Sequence, residues 1–276
     1  MSKRHLGWAF VSAFSLSITG LGAASAADMA VKASPMVAPV AVYNWTGFYI
    51  GGNVGYGWGN GDTFFNPLPS GAAFVNLLPQ TLSPDPKGVL GGAQAGYNWQ
   101  AGRFVLGVEA DIQGADISGT ATQSPIIQNN ATPFPGAGFL STHEKLEWFG
   151  TARLRAGYTP VDRLLLYVTG GVAYGDVNYS AQTDFRPVGT VQYPAAFTKT
   201  KVGWTAGGGA EWAFAQNWSA KVEYLYMDLG NESTVANPVP ANPPFQVGYN
   251  WKTQEQLVRV GVNYKFGWGG PVVARY

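Results

Sequence analysis

Trp45-Thr46-Gly47-Phe48-Tyr49-Ile50-Gly51-Gly52-Asn53-Val54-Gly55-Tyr56-Gly57-Trp58 alternates two kinds of residue. Every second position from Phe48 gives Phe48, Ile50, Gly52, Val54, Tyr56 and Trp58, while the set between them is small and partly polar. Successive side chains of a strand point to opposite faces. This strand therefore has one greasy face ending in aromatics and one small, hydrogen-bonding face. A soluble sandwich would bury the greasy face in its core, and a membrane barrel would turn it toward lipid.

Seven further segments alternate in the same way: Val89 to Trp99, Phe104 to Ile112, Leu146 to Tyr158, Leu164 to Tyr174, Val202 to Phe214, Trp218 to Tyr226 and Val258 to Phe266. No charge falls on any greasy face, where one at mid-bilayer depth would cost about 2–4 kcal/mol. The opposite faces hold Arg103, Glu109, Asp111, Lys145, Glu147, Arg153, Arg155, Lys201, Glu211, Lys221, Glu223, Arg259 and Lys265. A soluble sandwich would also keep one face uncharged. The aromatics add weight to the other reading, because Phe48, Tyr56, Trp58, Trp99, Trp148, Tyr158, Trp204, Trp212, Trp218, Tyr226, Tyr264 and Phe266 gather toward strand ends. Amphipathic rings sit there in the lipid-facing girdles of a membrane barrel.

Composition points the same way. Of 276 residues only 12% are charged, against about 25% in ordinary soluble domains, while 14% are aromatic, with 10 Trp and 37 Gly. A mean hydropathy of −0.03 excludes a bundle of long apolar helices. The net charge of +1 is too small for a nucleic-acid partner, which calls for a clear basic excess. With no cysteine there is no disulfide framework or thiol chemistry.

Three connections are short, at Ala101-Gly102, Pro160-Val161-Asp162 and Ala215-Gln216-Asn217. Four are long, covering 59–87, 115–143, 176–200 and 228–255, and are rich in Pro, Asn, Gln, Ser and Thr, which suggests mobility rather than packing. The alternation matches tight periplasmic turns and larger extracellular loops. The chain opens with Lys3 and Arg4, an apolar run from Leu6 to Leu21 and Ala24-Ser25-Ala26, the features of a secretory signal with its cleavage site. The expected organisation is a cleaved signal at 1–26, a Pro/Ala-rich linker at 27–44, an eight-stranded antiparallel up-and-down transmembrane β-barrel at 45–266 and a short extension at 267–276.

The run Trp45-Thr46-Gly47-Phe48-Tyr49-Ile50-Gly51-Gly52 and the close Val258-Arg259-Val260-Gly261-Val262-Asn263-Tyr264-Lys265-Phe266 resemble the outer-membrane immunogenic proteins, alphaproteobacterial surface antigens. The resemblance implies an all-β outer-membrane barrel of eight strands, porin-like in name, exposed at the surface, with no catalytic residues to transfer. Family members end on the aromatic of the last strand, so Phe266 is expected to close the barrel, although Tyr276 offers a second terminal aromatic. The partners implied are outer-membrane lipids and lipopolysaccharide and the barrel-assembly machinery, after Sec-type export. Peptidoglycan, against residues 29–42, and a host surface, against the loops, are candidate contacts.

Catalysis has little support. His143 is the only histidine beyond the signal, and Ser141 and Glu144 flank it, but neighbours on a strand point apart whereas catalysis needs convergence. No residue cluster suggests a cofactor or zinc. Glu109 and Asp111 are more simply ion-paired than calcium-binding. Glu109, Asp111, Glu147, Arg153 and Arg155 are expected to form one lumen network, and Glu211, Lys221, Glu223 and Arg259 another. The interior of eight strands is just wide enough to be filled by side chains. The leading reading is a structural surface protein; the alternative is a narrow passive porin, weakly anion-preferring because basic residues outnumber acidic ones on the inward faces.

Overall fold

Alternating segments become strands, and the described residues of the computed structural model are mostly strand. It describes residues 43–69, 80–127, 138–185, 191–241 and 244–267; the expected signal, nearly all of the linker and the extension beyond 267 lie outside these. In chain order the strands are β1 (Gly47–Gly59), β2 (Thr63–Leu68), β3 (Gln80–Leu82), β4 (Lys87–Ala101), β5 (Phe104–Gln123), β6 (Phe139–Val161), β7 (Leu164–Asp184), β8 (Gln192–Ala213), β9 (Trp218–Ala236) and β10 (Gln246–Lys265). They form one antiparallel sheet in the order β1-β4-β5-β6-β7-β8-β9-β10-β2-β3. β1 also pairs with β10, placing Ile50 opposite Tyr264 and Val54 opposite Val260, so the hydrogen bonding returns to the strand where it began.

The expected eight-stranded barrel is corrected by this topology: the described residues contain ten strands. β2 and β3 lie in the 59–87 connection. β2 pairs with Gln246–Trp251 of β10, a stretch whose sequence reads as loop, and its Pro67 disguises it further. The other long connections are corrected likewise, since much of 115–143, 176–200 and 228–255 is paired strand. β5 to β10 are 19 to 23 residues long. A tilted strand crosses a bilayer in about 9–11.

The extra length has opposite polarity. On β10 the outward positions Val258, Val260 and Val262 are exposed and apolar, while Arg259 and Asn263 point inward and are buried. Toward the other end of the same strand Leu257, Trp251, Tyr249 and Val247 are buried inside, and Gln256, Gln254, Lys252 and Asn250 occupy the outward positions. β7 inverts similarly, from outward Val168 and Val172 to outward Asp176 and Asn178, with Val177 and Tyr179 buried behind them. The half carrying the chain ends is greasy outside and polar within. The half carrying the long connections is mostly polar outside and mostly greasy within, with Glu144 and Glu255 among the buried exceptions.

Candidate functional site

The chemistry of the molecule is concentrated in its interior. Arg153, on β6, donates to Asp111 Oδ2 at 3.0 Å and Glu223 Oε1 at 3.0 Å, and also to Glu109. Arg155, two residues on and therefore on the same face, reaches Glu211 Oε2 at 2.8 Å and Glu109 Oε2 at 3.3 Å, with its guanidinium 3.9 Å from the centre of the Tyr167 ring. Lys221 Nζ lies 3.1 Å from Glu109 Oε1, and Arg259 spans Asp111 at 3.2 Å and Glu223. Tyr49, Thr151, Tyr167, Ser219 and Asn263 donate to the same carboxylates. The two expected groups thus meet as one network, because Arg153 and Lys221 reach across the interior. Four basic and four acidic groups, all buried, balance in charge.

Space for these side chains comes from β1 and β4. A Cβ at Gly51 would collide with the Asn263 amide, and one at Gly96 with the Tyr49 hydroxyl. The small face of the opening strand is therefore a wall cut back to admit long residues from the strands opposite. Below the network, Trp45 donates from Nε1 to the Asp162 carbonyl at 2.9 Å and packs edge-on against Tyr43 over Val105, Leu165 and Ala213. Above it lies an apolar cluster that includes Phe65 of β2, edge-on to Tyr249 at 5.2 Å, with Leu146, Met227 and Trp251.

Glu147 is not in the network, and its placement there is corrected. It is exposed at a bulge where the β6–β7 register jumps from Leu146/Val177 to Trp148/Asp176, and an unpaired bulge residue leaves the inward face. The basic residues beyond the network also lie elsewhere. Lys145 pairs with Asp116 at 3.2 Å, Lys201 with Glu232 at 3.0 Å, Arg103 is exposed beside Tyr158, and Lys265 turns to the Asn44 carbonyl.

The same bulge brings Glu144 inward. It and Glu255 are buried beyond the apolar outward band, with Glu144 Oε1 accepting from Thr253 Oγ1 at 2.5 Å. Burial pushes the Glu144 carboxyl up to about 7 against the opposing hydrogen bond from Thr253 and the field of Lys201. Burial, and then Glu144, raise Glu255 as well. Sequence reading missed this pair because it sought charge only behind greasy outward positions. His143 sits on the other face with Nδ1 2.9 Å from Thr120 Oγ1, so Ser141, His143 and Glu144 do not converge. Among the described residues no three acidic or histidine side chains gather at metal-ligand spacing.

Phe48, Tyr56, Trp58, Trp99, Tyr158, Trp204, Trp212 and Trp218 are exposed on the outer wall. Trp148, Tyr226, Tyr264 and Phe266 are half-covered by neighbouring rings, as where Trp218 meets Tyr264 at 5.0 Å and Trp204 meets Tyr226 at 5.3 Å.

Residues 15–266 match the family described as outer membrane protein beta-barrel domain. The 31 kDa outer-membrane immunogenic protein of Brucella melitensis biotype 1 is 41% identical over 249 residues, covering 88% of this chain and 93% of that one. The 22 kDa outer membrane protein of Rhizobium leguminosarum bv. viciae is 29% identical over 223 residues, covering 81% and 79%. Among solved structures, the outer membrane protein OprG of Pseudomonas aeruginosa aligns over 82% of this chain and 99% of that one, at 12% identity and a TM-score of 0.44.

Proposed function

Because the chain belongs to the outer membrane protein beta-barrel domain family, we propose that it works as a sealed surface protein, stabilising the envelope mechanically and holding an extracellular structure clear of the membrane. It resides in the bacterial outer membrane and is a surface antigen of the immunogenic outer-membrane type rather than an enzyme. The single observation that carries the sealed reading is the filling of the interior at three successive levels: the Tyr43–Trp45 cap, the ion-pair network and the apolar cluster around Phe65 and Trp251. An ion would have to displace paired charges and then cross a greasy layer, where desolvation alone costs several kcal/mol.

The apolar band on the outer wall contacts lipid, with its aromatic rings at the two interfaces. The end bearing the termini faces the periplasm. The water-exposed half beyond the band carries the connections that meet lipopolysaccharide or a host surface. The barrel-assembly machinery inserts the chain, with Phe266 as the closing aromatic. Against the alternative of an anion-preferring pore stand the neutrality of the network and the placing of Lys145, Lys201 and Arg103 outside it. Planar-bilayer recording of the folded chain tests the sealed reading: silence is expected, and stable ohmic steps would refute it.

A further inference from the structure

We propose that Glu144 and Glu255 hold a hard divalent cation, calcium by chemistry, between β6, β10 and the backbone that leaves β1. Both residues are 1% exposed, and in each the Oε2 atom has no hydrogen-bond partner. The two orphan oxygens look toward one short run of backbone. Glu255 Oε2 lies 2.6 Å from where a Cβ of Gly59 would stand, and Glu144 Oε2 lies 2.5 Å from the corresponding point at Gly61. A side chain at Gly59 would also meet the Gln254 carbonyl at 2.6 Å, and one at Gly61 the rings of Pro84 and Pro86 at 3.3 Å.

Among the described residues no basic side chain bonds either carboxylate. Lys201, whose field reaches Glu144, is already held by Glu232 at 3.0 Å and by the Asn231 carbonyl. The contrast with the lower network is informative, since there Glu109, Asp111, Glu211 and Glu223 each meet at least one guanidinium or ammonium. Two buried carboxylates without a counter-charge are costly, and a bound cation removes the cost.

Three further oxygens stand near the pair. Thr253 Oγ1 bonds Glu144 and stands 2.7 Å from the Tyr179 hydroxyl, and the Gln254 carbonyl lies beside Gly59, accepting one bond from Asn60 at 3.1 Å. Oxygen donors of mixed type suit calcium, which takes 6–8 of them in flexible geometry. The chain has no cysteine, and His143 faces away, so the soft ligands of zinc are missing here.

Terbium tests the site, because Trp251 and Tyr179 lie close enough to sensitise its luminescence. The full chain, folded in detergent micelles and freed of metal with a chelator, is titrated with Tb3+ and then with Ca2+. Saturable emission at one ion per chain, displaced by calcium and weakened at least tenfold in affinity by Glu144→Gln and by Glu255→Gln but not by Asp116→Asn, is the expected result. Absence of saturable emission, or emission indifferent to both glutamine variants, overturns the proposal. Should either variant fail to fold, wild-type Tm decides: a rise with calcium supports the site. A Tm that responds to pH but not to calcium means that the pair holds a proton instead, and overturns it.

Discussion

Arg153 touches three carboxylates on two other strands, and its value lies in what its loss would leave behind. Glu109 would keep Arg155 and Lys221, and Glu223 would keep Arg259, but the network would carry an uncompensated buried negative charge. Arg153→Met should therefore lower the free energy of unfolding in urea by about 3–5 kcal/mol. Glu147→Gln, at the exposed bulge, should change it by less than about 0.5 kcal/mol. Glu144 predicts a pH effect of definite sign in chelator. Folded, its carboxyl keeps the proton up to about 7, whereas unfolded it releases it near 4.5. Between those values the folded state binds more protons, so stability falls as pH rises through the window. Glu255, raised in the same direction by burial and then by Glu144, adds a loss of the same sign. Denaturation midpoints at a series of pH values should show this slope, and Glu144→Gln should flatten it.

Single strands carry two codes in series, and this decides what the sequence discloses. Val258, Val260 and Val262 are legible because greasy and polar positions alternate with the greasy ones outside. Trp251, Tyr249 and Val247 alternate just as regularly, but with apolar residues on the face that lower down is polar. A reading that follows one greasy face along the strand stops where the code inverts and assigns the remainder to loop. On β6 the bulge at Glu147 adds a shift of parity, which sends Glu147 outside and Glu144 inside. The lower ion pairs were within reach because their parity is unbroken from Glu109 to Asp111 and from Arg153 to Arg155. Deleting Glu147 removes only the unpaired residue, so Leu146 and Trp148 should alternate directly, Leu140 and Leu146 should stay inward and the heat-modifiable folded form on gels should persist, as it should in Glu147→Ala. The glycine wall on β4 makes a parallel case. Gly96→Val drives a branched side chain into the Tyr49 hydroxyl and should cost about 1–3 kcal/mol or more by urea titration.

Across the whole molecule, the lower half turns an apolar outer face to its surroundings and the upper half a polar one, which on the proposed function meet lipid and water. One continuous sheet does both by exchanging which side is greasy, so no separate domain is needed to stand above the membrane. The neutral ion network and the apolar cluster lie in sequence along the interior, and on the proposed function they close it. The inversion is most directly open to site-directed spin labelling along the outward positions of β10, since the chain has no cysteine to remove. Labels at Val258, Val260 and Val262 in lipid vesicles should be more accessible to oxygen than to a water-soluble nickel complex, and the order should reverse at Gln254, Lys252 and Asn250. Oxygen-dominated accessibility at Lys252 and Asn250, or nickel-dominated accessibility at Val260, would contradict a strand that changes solvent partway along its length.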